Sequence, residues 1–472
     1  MKARVAAVFI HRPQGEVAWP RLDFDYEARK EELSAKLRSA CPNIDFTLFS
    51  ACSIEDAENI AEHSQEFDGF LLHLLGQTTI VPAVILKKEK PTILSIDLYG
   101  GAGSFLLNFG WARDAGLPVV GFSTSNFEDI TKAVNLFAVK KDLSDSKIIL
   151  LTEKDSPKYK REVHSLYRKI FETTEYGSSG KTYDVQQQMD MVREIFGAEV
   201  IRISYDEMFS YYENASEQEA KTVADRWIRE ALRVIEPSRD EIIEAARMYL
   251  GVKKAMEEKG ALAITIDCYR MWHQLPAYPC MAFFQLNNEG LVGVCEGDLS
   301  STLAQLMLFY LTKELTGEPR PGYVNDPIVD LAKNRIIYAH CVAPNRVFGP
   351  TGPNNPYMIR SHAESRRGVG VQSILPTGEY LTAVQMHFTG KSPVLIIHRA
   401  KALENVDVEE ACRTKLAAET NSEKLVKNWN KGVEWIYPAN WHRVVFYGDW
   451  KKELVNLATL MRLKVLIEDE EQ

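Results

Sequence analysis

Residues 291–298 read LVGVCEGD, and LSSTLAQLMLFYLTKELTG follows over 299–317. The opening run reads as a strand that ends in a sharp turn. The continuation places Leu303, Leu306, Met307, Tyr310 and Leu311 at the i, i+3, i+4 spacing of one helix face. A short apolar strand running straight into a helix is the repeating unit of a parallel α/β sheet.

The same unit recurs upstream. Ser238 and Glu241 form a capping box, and the helix DEIIEAARMYLGVKKAMEEKG runs to Gly260. ALAITID (261–267), AEVIRIS (198–204) and SKIILLTEKD (146–155) supply strands, with a helix predicted at 157–172. The first 145 residues alternate in the same way. Strands are predicted at 4–10, 45–50, 67–75, 91–97 and 117–123, and helices at 26–37, 54–64 and 81–89. From about 328 the character changes. Gly and Pro cluster in FGPTGPNNP (348–356), and short segments such as YLTAVQMHF (380–388), PVLIIHRA (393–400) and HRVVFYGDW (442–450) follow. A helical LVNLATLMRL (454–463) comes last. The reading is α/β: two Rossmann-like parallel-sheet domains, 1–145 and 146–327, followed by a β-rich, barrel-like C-terminal domain, 328–472.

The 472 residues are 45% hydrophobic and 26% charged, enough apolar surface for several cores. Fifty-six basic against sixty-five acidic residues leave a formal charge of −9, which argues against a nucleic-acid binder. No run approaches the roughly 18 apolar residues of a membrane span. The start, MKARVAAVFIHRPQGE, lacks the pattern of a secretory signal. The seven cysteines form no CxxC pair and sit mostly in apolar runs, so we expect reduced, largely buried thiols in a cytoplasmic protein.

Glu296-Gly297-Asp298 is the densest chemical cluster. It stands at the carboxyl end of a strand, where α/β sheets bind ligands. Asp298 can simply cap the helix. Glu296 has no such account, and a carboxylate beside an apolar run needs a partner or a metal. Asp326 follows in YVNDP; a helix and a return loop can bring it back to Glu296, although spacing alone favours plain turn chemistry before Pro327. His340 and His442 are each, taken alone on an apolar strand, more often core histidines than ligands. Two carboxylates and two histidines together would suit manganese, and also cobalt, iron or zinc. His362 and Glu364 would share a face on a strand and could contact substrate. GGAGS (100–104) reads as a turn, and Arg12 and Trp19 as a solvated loop after the first strand.

Residues 239–345 and 437–466 resemble the L-arabinose isomerase and L-fucose isomerase superfamily. RDEIIEAARMYLGVKKAMEEKGALAITIDCYRMWHQLPAYPC, with Gln274, Leu275 and Pro276, resembles the segment leading to the EGD metal motif of arabinose isomerases. CEGDLSSTLAQLMLFYLTKELTG resembles the motif and helix of both families. AHCVAP (339–344) matches the place of an arabinose isomerase ligand histidine, and NWHRVVFYGDWKKELVNLATLMRLKV resembles the fucose isomerase segment carrying a metal histidine. The resemblance implies metal ligands Glu296, Asp326, His442 and His340, with Asn325 the alternative occupant of the second carboxylate position. It implies Glu296 and Asp326 as joint acid and base.

The activity that the resemblance implies is that of a metal-dependent aldose–ketose isomerase working through a cis-enediol, with Mn2+ as the first cofactor to expect. The substrate would be a pentose, a 6-deoxyhexose or a related sugar, with Arg12, Trp19, His362, Glu364 and Trp441 as candidate contacts. The alternatives are an epimerase, action on a sulfonated or acidic sugar, or a non-catalytic sugar-binding relative. The resemblance also implies a homo-trimer or homo-hexamer, and no nucleic-acid or membrane partner is expected.

Overall fold

Apolar runs too short for helices become buried strands. The computed structural model describes residues 1–17, 19–153, 185–271, 277–388, 393–433 and 441–471. The helix predicted at 157–172 and the Gln274-Leu275-Pro276 match lie outside them. Contacts divide the chain into two compact units: Met1–Asp142 with Lys452–Lys464, and Leu143–Lys451 with Val465–Gln472.

In the first unit, β1 (Ala3–Ile10), β2 (Ile44–Ala51), β3 (Gly69–Leu74), β4 (Thr92–Ile96) and β5 (Val119–Phe122) form a parallel sheet in the order β2-β1-β3-β4-β5. Nearly all of β1, β3 and β4 is buried, as expected for parallel strands covered on both faces. GGAGS is only half a turn. A side chain at Gly100 would run into the carbonyl oxygen of Leu75, and a helix already begins at Ala102.

In the second unit, β6 (Lys147–Leu151), β7 (Glu199–Ile203), a two-residue β8 (Arg233–Val234), β9 (Ala263–Ile266) and β10 (Val292–Cys295) follow. Four of them make a second parallel sheet in the order β10-β9-β6-β7. The Ser238–Glu241 capping box is present, and Gly260 closes that helix with φ of 62°.

The helix Leu299–Thr316 differs from its sequence pattern. It is buried on every face from Leu299 to Thr312, not along one stripe. It packs against β9 and β10 on one side and against strands of the C-terminal region on the other. A helix covered all round has no solvent face to keep polar.

That region comprises β11 (Tyr323–Asp330), β12 (Arg335–His340), β13 (Tyr357–Arg360), β14 (Gly370–Ser373), β15 (Tyr380–His387), β16 (Val394–Asn405), β17 (Thr414–Glu419), β18 (Arg443–Tyr447) and β19 (Lys464–Ile467). Antiparallel pairing runs β15-β18-β11-β12-β17-β16, and β16 pairs back with β15, so six strands close a ring. The barrel-like expectation is met, and the ring leaves no open edge among these six strands. Asp326 and Pro327 are not in a turn but inside β11. Pro327 is tolerated because β18 pairs only with residues 323–325 of that strand, so the missing N–H breaks no ladder bond there.

Arg443 and Glu468 form an ion pair at 2.6 Å with both side chains fully buried. His398 donates from Nδ1 to Glu468 at 3.1 Å and accepts from the Tyr338 hydroxyl at 2.8 Å. Burial pushes the Glu468 carboxyl up, but Arg443 and then His398 outweigh it and hold it down at about 2. The depressed carboxyl contributes stability that is full above its unfolded value, about 4.3, and is lost as pH falls towards 2. Glu468→Gln strands the Arg443 cation and is expected to cost about 3–5 kcal/mol in urea unfolding at neutral pH. The deficit should shrink as pH drops from 5 to 3; a pH-independent deficit would show that the pair's charge is not its source.

Candidate functional site

Strand β10 ends at Cys295, and the next two residues turn left-handed, with φ of 65° at Glu296 and 60° at Gly297. This backbone costs a residue with a Cβ about 1–2 kcal/mol. Gly297 escapes that cost, and a Cβ there would also press on Asp267 at 3.2 Å. The turn presents the Glu296 carboxylate at the carboxyl edge of the second sheet.

Asp298 does more than cap the helix. Its Oδ1 accepts from the Ser301 N–H at 2.9 Å and its Oδ2 from the Ser301 hydroxyl at 2.6 Å. The same Oδ2 accepts from His442 Nδ1 at 2.9 Å. That bond holds a proton on Nδ1 and turns Nε2 forward. Nε2 then faces Glu296 Oε2 at 3.4 Å and Asp326 Oδ1 at 3.5 Å.

His340, at the end of β12, completes the group, with Nε2 3.8 Å from Glu296 Oε1. One ligand atom from each of Glu296, His340 and His442 lies within 4.8 Å of the others, an arrangement that can hold a metal ion. Both Nε2 atoms are buried without a formed hydrogen bond, each facing a carboxylate at ion-pair distance. Oxygen and imidazole donors arranged in this way fit a divalent cation. His340 differs from His442 in one respect. Its Nδ1 accepts from the Cys341 N–H at 3.0 Å, so a donor and not an acceptor stands behind this ring. The neutral ring in that pose carries its proton on Nε2.

The electrostatics favour positive charge. Burial pushes the Glu296 carboxyl up, but His442 and His340 beside it prevail and hold it well below the usual range. Burial pushes His442 down; Glu296, Asp298 and Asp326 together lift it well above an ordinary imidazole.

Asp326 is 42% exposed and opens the group to a cavity of about 500 Å3, lined by Asp326, Pro327, Val329, Val426, Trp429 and Trp441. Trp441 donates from Nε1 to Asp326 Oδ1 at 3.0 Å. Asn325, the alternative to Asp326, is fully buried, and its amide donates to the carbonyls of Arg443 and Tyr323. Neighbours on a strand face opposite ways, so only Asp326 meets the histidines.

The other predicted contacts have partners within their own units. β13 ends at Arg360, so His362 and Glu364 lie on the turn beyond it and do not share a strand face. His362 Nε2 meets Cys280 Sγ at 3.3 Å, and Glu364 accepts from Cys412 Sγ at 3.4 Å. Arg12 and Trp19 belong to the first unit, where Arg12 Nε donates to Gln77 O and Trp19 is 64% exposed. Sequence reasoning missed Trp429, which nothing in its local pattern marks, and the grip of Asp298 on His442, which needs the fold.

No family model matches this chain. Proteins named sulfoquinovose isomerase from Priestia aryabhattai and Priestia megaterium are each 24% identical over 256 residues, 52% of this chain and 54% of theirs. One of the same name from a Clostridium species is 26% identical over 228 residues, 46% of each chain. The chain thus spans about half the length of the curated relatives it matches. Among solved structures, an ABC transporter periplasmic solute binding protein from Actinobacillus succinogenes 130z with bound D-allose covers 68% of this chain and 94% of its own at 12% identity, with a TM-score of 0.18. Among the described residues no helix is long and apolar enough to cross a membrane.

Asp298→Ala removes the helix cap and the acceptor behind His442 together. Its cap loss alone is expected to cost about 1–2 kcal/mol, whereas Asp298→Asn retains a capping oxygen and should cost far less. Thermal unfolding of both variants measures this; equal losses would remove the cap from the account.

Proposed function

We propose that this chain is a divalent-metal-dependent aldose–ketose isomerase. The supporting observation is the convergence of two carboxylates and two imidazole edges from four separate segments, facing one another without closed hydrogen bonds between them. Glu296, Asp326 and His442 would hold the cation, and His340 would join through Nε2 if its ring gave up the Cys341 N–H. The cation, manganese first by donor hardness, supplies polarisation of the sugar carbonyl and stabilises the negative charge that develops on the sugar oxygens.

The chain's own groups move the protons. Glu296 is fixed by its turn and by burial, and Asp326 is steadied by Trp441 at the cavity mouth. Between them the two carboxylates take the C2 proton, return it at C1, and pass a proton between O1 and O2. Trp429 and Trp441 offer ring surface to the C–H face of the substrate. The names of the relatives put sulfoquinovose first among the sugars to try, ahead of 6-deoxyhexoses and pentoses.

Manganese-loaded protein incubated in deuterated water with these sugars is expected to exchange the C2 proton and accumulate ketose, followed by NMR. Bound manganese with no exchange on any sugar would sink the isomerase reading. Glu296→Gln is expected to lower the exchange rate by about 10²–10⁴-fold. In calorimetric titration with manganese, His442→Ala should weaken binding more than His340→Ala, because only His442 already has its proton held on Nδ1. The reverse order would reassign the principal imidazole ligand.

A further inference from the structure

Five of the seven cysteines gather in the second unit, away from any CxxC spacing. Cys268 and Cys295 bring their sulfurs to 3.2 Å, and Cys341 and Cys280 to 3.6 Å. Cys280 Sγ also meets His362 Nε2 at 3.3 Å. Cys280, Cys341 and His362 are all buried, and one donor atom from each lies within 4.8 Å of the others. Cys412 forms a neighbouring triplet with Cys341 and His340.

We propose that Cys280, Cys341 and His362 form a second metal site, selective for zinc and separate from the Glu296 group. Zinc–sulfur bonds of about 2.3 Å and zinc–nitrogen bonds of about 2.0–2.1 Å, set at tetrahedral angles, separate two sulfurs by about 3.8 Å and sulfur from nitrogen by about 3.5 Å. The two separations from Cys280, 3.6 Å and 3.3 Å, lie within a few tenths of an ångström of that geometry, and Cys341 and His362 offer donor atoms within 4.8 Å of each other. Two thiols each lose a proton on binding, and two thiolates, a neutral imidazole and Zn2+ carry no net charge. A neutral site is what burial at this depth tolerates.

Donor softness separates the two sites. Thiolates select zinc over manganese, whereas the oxygen and imidazole donors around Glu296 suit a harder ion. The three ligands come from the start of the helix Cys280–Asn288, the residue after β12, and the turn after β13. A zinc ion would tie these elements together one residue from His340 and hold the end of β12 in place. Zinc binding here requires nothing of the isomerase reading.

The test is zinc content, by elemental analysis, of protein produced with added zinc and dialysed into metal-free buffer. Glu296→Gln with His442→Ala is the background, so that zinc at the other site, stripped of two ligands, does not contribute. We expect zinc equimolar with the chain, lost when Cys280→Ser and Cys341→Ser are added and retained when Cys52→Ser is added instead. Cobalt replacement gives a readout without cysteine variants: the same background protein should show an intense thiolate-to-cobalt charge-transfer band in the near ultraviolet. No retained zinc, zinc undiminished by the double cysteine change, or cobalt binding without that band would each overturn the site.

Discussion

The contact between Asp298 and the His442 ring is the joint on which the candidate site depends. One carboxylate closes the first turn of the buried helix and holds the imidazole that comes 144 positions later. Through that bond the end of a parallel strand and the start of a barrel strand share a fixed geometry. Without it, only the attraction of Glu296 and Asp326 would hold Nε2 of His442 in this pose. Helix capping is a local event and ring orientation a long-range one, and here one side chain does both.

The strand that begins beside His442 carries two polar clusters from consecutive residues. His442 turns to the carboxylates of the candidate site, and Arg443 turns away to Glu468 and His398. Alternation along an extended chain makes this possible without mixing the two charge systems. Each cluster balances buried charge within itself, which keeps the cost of desolvating each group local.

The fold was largely legible because its signals are short-range. Apolar runs, the Ser238–Glu241 box and Gly260 all act within a few residues. The features that escaped were set by distance. Asp326 looked like a turn residue because Pro327 beside it is a turn former, and only the pairing of β11 with β12 and β18 shows a strand that accommodates proline. The full burial of Leu299–Thr312 was equally hidden, since a helix pattern does not reveal how many partners will cover it. At the site, residue types pointed to Glu296 and the two histidines. The donor behind His340, the tryptophan beside Asp326 and the thiol cluster at His362 became visible only with three-dimensional placement.

Glu296 occupies a backbone shape that glycine would adopt at no steric cost. Replacement by glycine would relax the turn but also take away the charge that His340 and His442 face, so the two effects on the folded state oppose each other. A descendant sequence with glycine here would keep the turn and give up the carboxylate, so the residue found at this one position marks whether the histidines still have their anionic partner.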